Sequence, residues 1–201
     1  MLYILTVIIC MAIISLVNVL CNVTFSWWHT IAVVVAYTAA VIIVDGIFCT
    51  IVRRCLPNKW FTQEVKFFKV NKKECKFYEK LGIKKWKDKV LELGMFTSFR
   101  KNKIAEPNNN EYIGRYIMEA NYGIICHIVS IVFGFLILLI YPKYCWSIAF
   151  PVAMVNLVLN TLPTMILRYN LPKLHTIYKY NQKHLKKSEE TGGEESQPKA
   201  G

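Results

Sequence analysis

Long apolar runs constrain this chain more than any other feature of its sequence. Four almost entirely apolar stretches have about the length that a helix needs to cross a bilayer: 2–20, 31–52, 122–141 and 145–167. A soluble domain with a formal net charge of +12 would have too small a core to bury a hydrophobic content of 54%. The sequence therefore predicts an all-α, polytopic membrane protein with about four transmembrane helices.

The basic residues are confined to two parts of the chain. All of the 25 Lys and Arg residues except Lys143 lie in 53–121 or in 168–201. Loops rich in Lys and Arg remain on the cytoplasmic side of a membrane, and an even number of spans returns both termini to that side. We therefore expect a multi-pass protein of the cell membrane whose termini and basic loop are cytoplasmic.

The predicted organisation has four parts. Two transmembrane helices occupy 1–52, and a basic amphipathic segment, cytoplasmic or interfacial, occupies 53–121. Two further transmembrane helices occupy 122–175, and a basic, then acidic, disordered tail follows over 176–201. The first apolar run lacks a preceding basic region and a clear small-residue cleavage site, which favours a retained helix over a signal peptide.

Bulky apolar side chains are interleaved with the lysines of the basic segment. Spacings of three and four residues recur among Phe77, Leu81, Ile83, Trp86 and Val90. This pattern indicates an amphipathic helix, weakened by Gly82, of the kind that lies on anionic lipid. Nucleic-acid binding is the alternative interpretation of a basic and aromatic mixture, but the flanking spans disfavour it. We expect membrane lipids as partners and no nucleic acid.

The seven cysteines show no CxxC or Cys/His spacing, so the sequence predicts isolated thiols and no metal site.

Several polar residues lie within the apolar runs or at their predicted cytoplasmic ends. They are Asp45, Glu119, His127, Asn160 and the run Arg168, Tyr169 and Asn170. Titratable groups at membrane depth are rare and often mark functional sites. Asp45 has two interpretations, either a buried acid with a polar partner or an acid that reaches the cytoplasmic interface.

Glu119 and His127 are eight residues apart, so on a helix they share a face about 12 Å apart along the axis. An imidazole within reach of a carboxylate is the arrangement that a general base needs. The structural alternatives are a core histidine satisfied by a neighbouring helix and an interfacial Glu119 paired with Arg115. Arg168 has two compatible roles, as a phosphate-binding group or as a charged anchor.

Three motifs together resemble a known family. They are YEKLGIKKWKD over 78–88, the Glu119 and His127 pair, and Asn160 followed by RYNLPKL over 168–174. In this order they are similar to the glycosyl-4,4'-diaponeurosporenoate acyltransferase family, small membrane proteins that finish staphyloxanthin-type carotenoids. The resemblance covers roughly residues 60–175. The chain departs from the family pattern at Tyr122 and Ile124, where an Arg and a second Glu are usual.

The resemblance implies transfer of a fatty acyl group to a hydroxyl of a membrane-bound glycosylated terpenoid or other lipid. It implies acyl-CoA or a similar donor as co-substrate and no bound cofactor. His127 would be the base, oriented by Glu119, and the substrates would be bound by Asn160, Arg168, Tyr169 and Asn170. The alternative is a non-catalytic membrane protein that binds anionic lipid or a partner through its basic loop.

Overall fold

A computed structural model describes residues 2–21, 26–62, 64–90 and 104–194. All regular structure within these ranges is helical, which confirms the predicted all-α class. Six α-helices are present in the described residues: α1 Leu2–Leu20, α2 Trp27–Cys55, α3 Lys72–Lys80, α4 Ile83–Trp86, α5 Asn110–Phe133 and α6 Phe150–Glu194. Short 3-10 turns occur at Asn58–Phe61, Lys66–Phe68, Lys87–Lys89, Gly134–Leu139 and Pro142–Tyr144, and a π-helical turn at Cys145–Ala149.

Three helical stretches are long and apolar enough to cross a membrane: Trp27–Cys55, Asn110–Leu139 and Pro142–Leu185. Helix α1 contributes a shorter apolar stretch, Ile4–Leu20. Large apolar side chains on α1 and α2, such as Ile9, Ile43 and Ile47, face outward rather than into the bundle. An outward-facing apolar surface is expected of helices surrounded by lipid, so the fold is that of a helical membrane protein.

Helices α5 and α6 form the main pair of the bundle, with α2 packed against α5 and α1 packed against α2. One apolar cluster, which includes Ile117, Ile124 and Leu171, lies where α5 begins. A second cluster, which includes Val34 and Ile148, lies towards the other end of the bundle. We call the end that carries Arg53 and Arg168 the basic end.

The amphipathic pattern of the basic segment forms two helices rather than one. Asn71 caps α3 by accepting a 2.8 Å hydrogen bond from the Glu74 N–H, and Gly82 ends the turn after α3 with a φ of 69°. A positive φ suits glycine because it lacks a Cβ atom. Tyr78 and Ile83 then pack against Ile166 of α6, which docks α3 and α4 onto the bundle.

Helix α6 extends much further than the sequence suggested. The sequence placed a helix end near Leu167 and a disordered tail over 176–201, whereas α6 continues through Pro163 and Pro172 to Glu194. Leu171 and Leu174 are buried against the beginning of α5, and Asn181 donates a 2.8 Å hydrogen bond to the Pro107 carbonyl. These contacts give the extension a packed face, which stabilises a helix more than local propensity does.

Candidate active site within the helix bundle

Three helices each carry two polar residues that are eight positions apart. They are Asp45 and Arg53 on α2, His127 and Glu119 on α5, and Asn160 and Arg168 on α6. Eight residues correspond to about 12 Å along a helix, so the six residues form two layers. The inner layer contains Asp45, His127 and Asn160, and the outer layer, at the basic end, contains Arg53, Glu119 and Arg168.

Asn160 connects the other two members of the inner layer. Its Nδ2 atom lies 3.3 Å from Asp45 Oδ2, 2.8 Å from Asn156 Oδ1 and 3.1 Å from the Asn156 carbonyl. All three neighbours are acceptors, so the atom that faces them must be the amide nitrogen. The Asn160 side chain therefore has one fixed orientation, with its oxygen on the side of His127.

His127 is held in a single tautomer by this arrangement. Its Nδ1 atom lies 2.8 Å from Asn160 Oδ1. An amide oxygen can only accept a hydrogen bond, so Nδ1 must carry the proton and donate it. The lone pair is then on Nε2, and the imidazole can act there as a base.

Asn156 completes the polar network around Asp45. Its Nδ2 atom donates to Asp45 Oδ1 at 3.4 Å and to the Ser130 carbonyl at 3.2 Å. Only 8% of Asn156 is exposed, so these partners replace water. The inner layer thus joins α2, α5 and α6 through one continuous set of hydrogen bonds.

The outer layer places Glu119 against Arg53 and not against His127. Arg53 Nη2 donates to Glu119 Oε2 at 2.6 Å, and the Arg53 guanidinium lies 5.5 Å from the centre of the Tyr122 ring. Glu119 therefore pairs across the bundle with α2. The predicted orientation of His127 by Glu119 is absent from the described contacts, because about 12 Å along α5 separates the two residues.

Arg168 is paired with a residue of the basic segment. Its Nε and Nη2 atoms donate to the two carboxylate oxygens of Glu74, the latter at 3.0 Å, and the Tyr78 hydroxyl donates to Glu74 at 2.6 Å. The Arg168 hydrogen bonds lower the pKa of Glu74 below 4.5. Burial, followed by the bond to Glu74, raises the pKa of Tyr78 to about 12. This cluster fixes α3 on α6.

A cavity of about 940 Å³ opens at the basic end next to α6. Tyr169, Asn170 and Lys173 line it from α6, and Glu79 and Lys87 line it from the basic segment. The Tyr169 hydroxyl donates to Glu79 at 3.2 Å. Asn170 follows Asn160 by ten residues, which is about 15 Å along the helix. The cavity therefore has polar and charged walls at some distance from the inner layer.

The structure brings two of the predicted site residues, His127 and Asn160, into direct contact. Glu119 and Arg168 lie one layer away in ion pairs, and Tyr169 and Asn170 face the basic-end cavity. Sequence reasoning placed Asp45 among the polar residues near the predicted cytoplasmic ends but not in the predicted site, and its contacts agree with the interpretation of an acid with polar partners. Three further partners were not identified: Asn156 beside the inner layer, Arg53 in the outer layer and Glu74 beside it. The eight-residue spacing, repeated on α2, α5 and α6, was the signal that could have connected Asp45 and Arg53 with the others.

No group of three or more His, Cys, Asp or Glu side chains in the described ranges is placed to hold a metal ion.

The fold and the inner layer define a helical membrane protein with an oriented, partly buried histidine between its helices. A family model described as glycosyl-4,4'-diaponeurosporenoate acyltransferase matches residues 57–180, more than half of the chain, so the protein belongs to this family. Comparisons with curated proteins and with solved structures give no match. The matched residues include His127, Asn160 and Arg168, whereas Asp45 and Arg53 precede them.

Proposed function

We propose that this protein is a membrane acyltransferase that moves a fatty acyl group from a thioester donor to a hydroxyl group of a membrane lipid. One observation carries the proposal: Asp45 and Asn160 orient His127 so that its Nε2 atom has the lone pair. Family membership supports the same chemistry, because the family is described as an acyltransferase. Asp45 and Asn160 would be positioning residues, and His127 the general base.

The reaction requires one proton to move twice. His127 Nε2 takes the proton from the acceptor hydroxyl as the hydroxyl oxygen forms a bond to the acyl carbonyl carbon. The carbon–sulfur bond of the thioester then breaks, and the imidazolium returns the proton to the departing thiolate. The products are an ester and a free thiol, so no oxidant, metal or further reactant is needed.

The donor fits the basic end best. Acyl-CoA, or a similar carrier with a charged head and a long arm, would place its head in the cavity beside Asn170 and Lys173. Its arm would then cover the distance of about 15 Å to the inner layer. Arg168 would support this cavity indirectly, because its bonds to Glu74 hold α3 in place.

The acceptor would be a lipid-linked hydroxyl compound. We propose a glycosylated terpenoid as in carotenoid biosynthesis, because the family description names a glycosyl diaponeurosporenoate. The basic residues at one end of the bundle favour a cytoplasmic location for that end in the cell membrane. A cytosolic donor would then reach the cavity directly.

Lipid profiling of cells with and without the protein tests this proposal. Cells with the wild-type chain should contain an acylated lipid that cells with His127→Ala lack at equal membrane levels, since a positioned base contributes about 10²- to 10⁴-fold. His29→Ala is the matched control, because His29 lies at the beginning of α2, far along the helix from Asp45. A lipid profile that is the same with and without the wild-type chain contradicts the proposal.

A second candidate function is binding of anionic lipid by the basic segment without catalysis. Phe67, Phe77 and Leu81 are exposed among lysines, a combination typical of segments at a membrane surface. Under this alternative, vesicles that contain anionic lipid would bind the protein, Phe67→Ser with Phe77→Ser would weaken that binding, and no acylated product would form.

A further inference from the structure

An apolar groove lies between α1, α2 and α6. Its walls include Ile8 and Met11 from α1, Ala39 and Ile42 from α2, and Val155 and Asn156 from α6. The volume of the groove is about 380 Å³. The family model matches residues 57–180, which include the α6 wall of the groove. The α1 and α2 walls lie outside the matched residues.

The groove connects to the inner layer through one residue. Asn156 lines the groove and also donates to Asp45, and Leu159, which precedes Asn160, is part of the same wall. The α1 wall extends from Ile4 to Ile14, about 15 Å of helix. The Asn18 side chain at the other end of α1 donates to the Ser147 carbonyl at 2.8 Å, which fixes α1 against the beginning of the last span.

We infer that this groove holds the hydrocarbon chain of the donor's fatty acyl group, with the acyl carbonyl next to the inner layer. This inference rests on the proposed function. A methylene group occupies about the same volume as a water molecule in the liquid, about 30 Å³, so the groove accommodates about a dozen methylenes. That size fits the chain of a common fatty acid and is too small for a long terpenoid.

The position of the groove agrees with this occupant. A chain that follows α1 and α2 from Asn156 directs its carbonyl end to Asp45 and Asn160, whereas the carrier head would be at the basic end. Burial of a methylene is strongly favourable when it leaves water, but much less so when it leaves a bilayer. The groove would therefore select chain length by its size, because its volume of about 380 Å³ accommodates only about a dozen methylenes.

Filling the groove tests the inference. Ala39 of α2 lines the groove, whereas Ala36 of the same helix is exposed outside the groove. Ala39→Trp and Ala36→Trp therefore form a matched pair. Membranes that contain each full-length protein would receive octanoyl-CoA and hexadecanoyl-CoA in parallel. Ala39→Trp should lower the ratio of C16 to C8 transfer at least tenfold, and Ala36→Trp should keep the wild-type ratio. Equal ratios in all three proteins overturn the inference.

A binding measurement separates this inference from the proposed function. Hexadecanoic acid with a diazirine in its chain would be photo-crosslinked to the wild-type protein in membranes, and the labelled peptides mapped. Labelling should be confined to the α1 and α6 walls, should saturate, and should decrease when unlabelled hexadecanoic acid is added. This result supports the groove even if no acyl transfer is detected. Labelling that does not saturate, or that is spread around all exposed faces of α1, overturns it. Absence of transfer by the wild-type protein with either donor contradicts the proposed function alone.

Discussion

The two polar layers differ in chemistry although they lie only about 12 Å apart on the same three helices. In the inner layer, the amides of Asn156 and Asn160 contact the single carboxylate of Asp45, and the His127 imidazole contacts the Asn160 amide. In the outer layer, carboxylates meet guanidinium groups, and the Arg53 and Glu119 side chains remain 55% and 32% exposed. Buried hydrogen-bond networks depend on every partner, whereas exposed ion pairs contribute little.

This difference assigns the two layers different tasks. An amide has a donor end and an acceptor end, so the network fixes both the direction of each hydrogen bond and the tautomer of His127. An ion pair fixes two positions but determines no proton location. We therefore expect substitutions in the inner layer to act on the reaction and substitutions in the outer layer to act on assembly.

Asn160→Leu should have the largest effect, because it removes both links of the inner layer while keeping a side chain of the same branched shape. His127 would lose its only described orienting contact, and acyl transfer should fall at least about 100-fold. Each buried group left without a partner also costs about 1–3 kcal/mol of stability.

The control is Asn181→Leu, which removes a buried amide on the extension of α6, where Asn181 donates to the Pro107 carbonyl. Both variants should lose stability, but Asn181→Leu should keep near wild-type transfer by the protein that remains in the membrane. Equal losses of transfer per inserted molecule would mean that the inner layer has no role beyond packing.

Asp45→Asn tests orientation alone. The substitution keeps the shape but replaces one of the two carboxylate oxygens by an NH2 group, so either Asn160 or Asn156 meets a donor where it now meets an acceptor. The orientation of the Asn160 amide is then less firmly fixed. We expect kcat to fall at least about tenfold, equivalent to about 1.4 kcal/mol of transition-state stabilisation, with an unchanged KM. Asp45→Glu should recover part of the loss. A rise in KM with constant kcat would instead assign Asp45 to substrate binding.

The sequence predicted the membrane class and the location of His127 and Asn160, because apolar runs and the polar residues within them are local features. The partners of these residues are not local. Glu119 shares a face of α5 with His127, but the two residues are about 12 Å apart along the helix, too far for a hydrogen bond. The carboxylate that completes the network comes from Asp45 on α2. A one-helix pattern cannot show which neighbouring helix supplies a partner.

Glu74→Gln tests how the outer layer assembles the basic segment. Arg168 lowers the pKa of Glu74 in the folded state, so the ion pair stabilises docking above the ordinary pKa of 4.5 and is lost as the pH falls through the lowered value. Docking of α3, followed through Trp86 fluorescence, should weaken in the wild-type protein as the pH falls below 4.5. In Glu74→Gln the docking of α3 should be weaker at neutral pH, by about 1–2 kcal/mol, and should not change as the pH is lowered through this range. Glu64→Gln, at an exposed position of the same segment, should titrate like the wild type.

Glu119→Gln should have the smallest effect, although the sequence predicted Glu119 as the residue that orients His127. Its ion pair with Arg53 is partly exposed, so a double-mutant cycle with Arg53→Gln should give a coupling below about 1 kcal/mol. Acyl transfer should remain within about threefold of wild type. The decisive comparison is with Asp45→Asn, because each variant neutralises one carboxylate. Asp45 is linked to His127 through Asn160, whereas Glu119 is about 12 Å from His127 along α5. If Glu119→Gln loses as much transfer as Asp45→Asn, the outer layer takes part in the reaction and the division between the layers fails.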